Sequence, residues 1–156
     1  MKALRLRVVC VGEPGRALAR PIAEYETRAA RYFDLRIVEV KAGRGDPVRV
    51  RAAEADVLLA SLPERSRIFA LTRGGDRLDT RGLAEELRDI AVYGPGGAAW
   101  LIGGAFGLSP SVLTTADRRV SLSDMTLPHE LARLVLAEQL YRAGTILRGE
   151  PYHKGG

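Results

Sequence analysis

Along the first residues apolar and basic positions alternate: Leu4, Leu6 and Val8 share one face, Arg5 and Arg7 the other, until Val9, Cys10 and Val11 fill both. A period of two running into a short apolar run predicts a strand over Leu4–Val11, ended by Gly12. The period then lengthens. Between Gly15 and Tyr32, Leu18, Ile22, Tyr25 and Ala29 recur at helical spacing, while Arg16, Arg20, Glu24, Arg28 and Arg31 lie mostly elsewhere. Pro21 predicts a kink or a late start to that helix. LRIVEV at 35–40 predicts a second strand, KAGRGDP at 41–47 a polar turn, and 48–62 a second helix. RIFAL at 67–71 predicts a third strand and Thr72–Asp76 a turn. Thr80 fits the N-cap of a helix over 81–93, with Leu83, Leu87 and Ile90 on one face.

The pattern is most informative from Ala98 to Pro128. A buried strand (98–102) leads into the glycines Gly103, Gly104 and Gly107, a brief helix after Ser109-Pro110, a short strand (119–122) and a polar loop closed by Leu127-Pro128. Gly103-Gly104 lets backbone approach a ligand with no Cβ in the way, and Gly107 suits a positive φ. Ser123–Thr126 offers hydroxyls and backbone groups beside it. Loops leaving strand tips are where an α/β protein holds a ligand, so these two are expected to form one pocket. A long helix follows over 128–147, with Pro128 suited to its first turn. Leu127, Leu131, Leu134 and Val135 cover one face and Ala132, Leu136, Leu140, Ala143 and Leu147 another. Two apolar faces on a last helix predict a homodimer, against the simpler alternative of a helix sunk in one core. The order βαβαβαβ predicts an α/β fold, a mainly parallel sheet with helices on both faces.

Composition narrows the picture. The chain has 156 residues, 46% hydrophobic and 6% aromatic, which suits one domain over 1–156 with a single core. MKALRLRVVCVG lacks the apolar run of a signal peptide and no stretch is long enough to span a membrane, so a cytoplasmic protein is expected. The one cysteine, Cys10, excludes a disulfide framework and reads as a small buried hydrophobe. A net charge of +5, carried by arginine except at Lys2, Lys41 and Lys154, favours an acidic partner such as RNA or DNA. Codon composition alone can produce the same arginine bias.

Several chemistries lack their motifs. Gly12-Glu13-Pro14-Gly15 fails the dinucleotide pattern, and neither a Walker-type loop nor a G-x-S-x-G elbow occurs. His129 and His153 are too few and too far apart for a metal centre. Read alone, Gly103–Gly107 fits a structural turn as well as a binding loop. Tyr141-Arg142 and Pro151-Tyr152-His153-Lys154 gather aromatic, imidazole and cationic groups near the end of the chain, equally consistent with a site or with core and frayed surface.

LIGGAFGLS at 101–109, SLSDMTLPHELARLVLAEQLYRA at 121–143 and PYHK at 151–154 resemble the RlmH family of ribosomal RNA methyltransferases. The similarity extends from VVCVG at 8–12 through IFALTRGG at 68–75 and is weakest between Arg44 and Arg65. The resemblance implies a trefoil-knotted α/β domain of the SPOUT class. It further implies a homodimer that transfers methyl from S-adenosylmethionine to N3 of a pseudouridine in helix 69 of 23S rRNA. Ordinary connectivity rules argue against a knot, so this feature rests on the resemblance alone. By matching position, Leu71, Gly104, Ser123, Asp124, Met125, Thr126, Leu127 and Pro128 would hold the cofactor. Ala105 and Phe106 would shape the cavity's mouth. The donor is a sulfonium, so the enzyme needs chiefly to align the target nitrogen and remove its proton, without a metal. Arg142, Tyr152, His153 and Lys154 are the expected catalytic groups, His153 as proton acceptor and the rest gripping nucleotide and phosphate, with His129 second in line. The short tail is expected to complete the partner subunit's pocket. Two other readings stay open: an RNA-binding factor of this fold that does not methylate, and a methyltransferase acting on another nucleotide, such as a tRNA ribose. Lacking a further RNA-binding domain, the chain is expected to find its target on the assembled ribosome.

Overall fold

The computed structural model describes residues 3–153, the side chain of His153 excepted. Five parallel strands form one sheet: β1 (Arg5–Val11), β2 (Asp34–Val40), β3 (Arg67–Arg77), β4 (Gly97–Ile102) and β5 (Arg118–Ser121), in the order β2-β1-β4-β3-β5. Between them run α1 (Arg16–Ala29), α2 (Pro47–Ala60), α3 (Thr80–Val92) and α4 (Pro110–Thr115), and α5 (His129–Leu147) follows β5. Alternation within β1 divides the core. Leu4, Leu6, Val8 and Cys10 pack with residues of α1, α3 and α5, while Val9 and Val11 pack with residues of α2 and α4 on the opposite face. Every residue of β4, in the middle of the sheet, is buried. Across the β3–β4 pairing, Phe69 stacks on Trp100 with ring centroids 4.3 Å apart and planes 11° from parallel.

Two local expectations change and one narrows. Pro21 lies inside α1 and does not delay its start, although it removes one backbone donor near the helix's beginning. Asp79, not Thr80, caps α3, because its carboxylate reaches the Gly82 N–H at 2.7 Å. The Thr80 hydroxyl instead donates to Gln139 of α5 at 2.8 Å. Thr72–Asp76 is not a simple turn after β3. Leu71 and Asp76 both pair with Val120 of β5, so the residues between them bulge out while the strand runs on to Arg77. Asp46 caps α2 and Ser109 caps α4, each with a proline at the helix start.

The last helix unites one face of the molecule. Leu136, Leu140 and Ala143 are buried, and Leu131, Leu134 and Val135 are half-buried. Arg133 of α5 is 8% exposed in its side chain. It meets Glu26 of α1 through two hydrogen bonds of 2.8 and 3.1 Å, and Glu39 of β2 at 2.6 Å. Burial alone would lower the affinity of that guanidinium for its proton, but the two carboxylates outweigh it and push its pKa up. No described helix is long and apolar enough to cross a membrane.

Candidate active site

Because all five strands are parallel, the loops leaving β4 and β5 emerge at one edge of the sheet, beside the bulge of β3. There they enclose a cavity of about 420 Å³. Its floor is the glycine loop after β4, one wall is Leu71, Thr72 and Arg73 of the β3 bulge, and the other is Ser123, Met125, Thr126 and Leu127. His129 and Ala132 of α5 close it. Leu71, Gly104, Ser123, Met125, Thr126 and Leu127 all line this cavity. Asp124 and Pro128 do not line the cavity. Asp124 turns to Arg77 at 2.5 Å and lines an adjacent hollow, and Pro128 occupies the N-cap of α5.

The glycine loop is held by its lack of side chains. A Cβ on Gly103 would stand 2.7 Å from the Gly107 carbonyl carbon, and Gly107 has φ +78°. The Gly107 N–H donates to the Gly104 carbonyl at 3.1 Å and closes the turn. The β3 bulge and the closing loop are tied by the Arg77–Asp124 pair and by Arg73, which donates to the Thr126 hydroxyl at 3.4 Å. Phe106, 46% exposed, and Ala105 stand at the rim. The cavity walls offered by Thr72, Arg73, Leu108, His129 and Ala132 were not among the expected cofactor residues. The bulge that brings in Thr72 and Arg73 resembles an ordinary turn in composition.

The tail groups gather elsewhere. Glu138 on α5 accepts from Arg142 at 3.0 and 2.5 Å and from the Tyr152 hydroxyl at 3.1 Å. The Arg142 guanidinium lies over the Tyr152 ring at 4.9 Å, and Tyr152 packs on Tyr141 with centroids 4.5 Å apart. Burial, with the hydrogen bond to Glu138, pushes the Tyr152 phenol up to about 12. The His153 side chain and Lys154 fall outside what the structure describes. Arg142 stands ten positions beyond cavity-lining Ala132 on α5, about 15 Å along the helix. Among the described residues, no cluster of His, Cys, Asp and Glu is arranged to hold a metal ion.

A family model described as "Predicted SPOUT methyltransferase" matches residues 4–153. The ribosomal RNA large subunit methyltransferase H of Gemmatimonas aurantiaca is 46% identical over 155 residues, covering 97% of this chain and 100% of that protein. The protein of the same name from an Anaeromyxobacter species is 47% identical over 154 residues, with the same coverage. A solved structure of a probable methyltransferase from Bordetella pertussis shares the fold, with a TM-score of 0.58 at 20% identity over 89% of this chain and 95% of that one. The chain belongs to the SPOUT methyltransferases and, within them, to the ribosomal RNA large subunit methyltransferase H family.

The methyl donor of this class is S-adenosylmethionine, and the cavity suits it. The volume falls in the range of cofactor sites. Leu71, Met125 and Leu127 provide apolar surface for an adenine, and Gly103, Gly104 and Gly107 bring main chain to the cavity's lining.

Proposed function

We propose that the chain methylates N3 of a pseudouridine in helix 69 of 23S rRNA, on the assembled ribosome in the cytoplasm, working as a homodimer. The observation that carries this reading is the meeting of Leu71, Gly104, Ser123, Met125, Thr126 and Leu127 around one cavity in a chain of this family. Those six residues hold the cofactor. Asp124, paired with Arg77, and Pro128, which starts α5, keep the closing loop in place. The reading includes the trefoil knot that the family resemblance implies; Arg73–Thr126 and Arg77–Asp124 tie the β3 bulge to the loop after β5.

When bound, S-adenosylmethionine supplies a methyl group on a sulfonium, already activated for transfer. Methylation at N3 would displace the N3 proton, which needs an acceptor among the chain's own residues. Tyr152, whose phenol is pushed up to about 12, keeps its proton near neutrality and is suited to donating hydrogen bonds. Histidine titrates nearest neutrality, and His153 takes the proton. Arg142, braced by Glu138, and Lys154 grip nucleotide and phosphate. The roughly 15 Å of helix rise between Arg142 and cavity-lining Ala132 supports a tail that serves the partner's cavity.

The decisive experiment is mass spectrometry of rRNA nucleosides from a deletion strain and from the same strain rescued with this chain. N3-methylated pseudouridine must disappear and return. Methylation of another nucleotide, or none, overturns the assignment. His153→Ala with near-wild-type turnover at saturating ribosomes and donor would remove His153 as base. Mixed dimers of a tail-deleted chain and a cavity-loop variant should recover activity if the tail serves the partner.

A further inference from the structure

Glu54 is a buried charge that the reaction does not use. It falls in line with Val50 and Leu58 on the covered face of α2 and is 4% exposed. One carboxylate oxygen, Oε2, accepts the Gly43 N–H at 2.9 Å. The other, Oε1, is buried with no hydrogen-bond partner. A Cβ built on Gly104 would stand 3.1 Å from Oε1 and 3.2 Å from Oε2, so the carboxylate rests against the bare backbone of a cavity-lining residue. Arg51, one turn earlier on α2, has a buried Nε that is also unpartnered, and no ion pair joins it to Glu54 among the described residues. A carboxylate left half-satisfied in a core is unfavourable, and its placement therefore calls for a compensating contact.

Glu54 touches two loops at once. Gly43 belongs to the 41–46 segment between β2 and α2, which exposes Lys41 and Arg44. Neither cation is in an ion pair among the described residues. Gly104 belongs to the floor of the cavity. Both loops leave the C-terminal ends of parallel strands and so sit on the same edge of the sheet.

We propose that Glu54 is a positioning residue that joins the glycine loop to the 41–46 loop, so that occupancy of the cavity by the methyl donor sets the loop presenting Lys41 and Arg44. The free oxygen Oε1 is the acceptor that a backbone N–H of the glycine loop takes up when the loop closes on the donor. This inference rests on the reading of the cavity as the S-adenosylmethionine site.

The test uses the full chain and S-adenosylmethionine itself. Calorimetry with Glu54→Gln, which keeps the size but removes the charge, should show donor affinity reduced tenfold or more. In turnover, the donor KM should rise in step while kcat at saturating donor stays within twofold. Glu54→Asp, which keeps the charge but withdraws it by one methylene, should show the same split. Hydrogen exchange adds a readout that needs no variant: donor binding to the wild type should slow exchange across 41–46, and both variants should lose that response. Wild-type donor binding with unchanged exchange at 41–46, or Glu54→Gln with wild-type affinity and response, overturns the inference and leaves the cavity assignment standing. A wild type that does not bind the donor overturns the cavity assignment itself.

Discussion

Replacing each of three glycines by alanine separates steric closure of the glycine loop from its backbone strain. At Gly103 the new Cβ meets the Gly107 carbonyl carbon at 2.7 Å and its oxygen at 2.9 Å, and both are backbone atoms that no rotamer change can move. Restoring an ordinary 3.4 Å contact opens the turn by roughly 0.7 Å. Overpacking of this kind costs about 1–3 kcal/mol whenever the turn is held in its packed form, as donor binding requires. Gly103→Ala should therefore weaken S-adenosylmethionine binding by about ten- to a hundredfold, at 1.4 kcal/mol per tenfold. Gly107→Ala meets nothing within 4 Å but must hold φ +78°, a penalty of about 1–2 kcal/mol and so roughly tenfold. Gly74, in the neighbouring bulge, has no atom within 4 Å of its Cβ position and no positive φ, and Gly74→Ala should stay within about twofold. Titration calorimetry on the three variants, with thermal unfolding alongside, reads the order directly. Gly103→Ala with wild-type affinity, or Gly74→Ala as damaging as Gly103→Ala, would refute the claim that the packed turn forms the donor site's floor.

Other expectations concern the charged and titrating groups. Arg133→Met strands Glu26 and Glu39 and should lower stability by about 3–5 kcal/mol in urea unfolding at fixed protein concentration. Glu26→Gln should exceed Glu39→Gln, because the Glu26 side chain is 14% exposed and accepts two bonds, whereas Glu39 is 37% exposed and accepts one; the reverse order counts against a buried triad. Cys10, whose thiol burial pushes up to about 11, should resist thiol reagents near neutral pH and react fully only in denaturant. Tyr152 should ionise near pH 12 rather than 10, as followed by ultraviolet absorbance of the phenolate. Its folded form binds the proton more tightly than the unfolded chain, so its contribution to stability is complete below pH 10 and fades as pH rises towards 12. Glu138→Gln should bring the Tyr152 titration back towards 10.

Much of this architecture is written in short-range pattern. The switch from a period of two to 3.6 marks β1, α1 and β2. The pocket between the glycine loop and Ser123–Leu127 was legible for the same reason, since parallel strands must deliver their following loops to one edge. What was not legible depends on register. Leu71 and Asp76 both face Val120, and TRGGD carries no local sign that its chain returns to the same partner. The cap of α3 shifted by one residue because Asp79 and Thr80 are both good caps and only geometry picks one. Glu54 did leave a signal: an acidic residue stands on the Val50–Leu58 stripe, where the helical period calls for an apolar side chain.

The Phe69–Trp100 stack has an optical consequence. Trp100 is the chain's single tryptophan, 1% exposed, and Ile102, two residues further along β4, already lines the cavity. All indole emission thus comes from one dry reporter beside the pocket, blue-shifted while the sheet is intact and red-shifting once water reaches it.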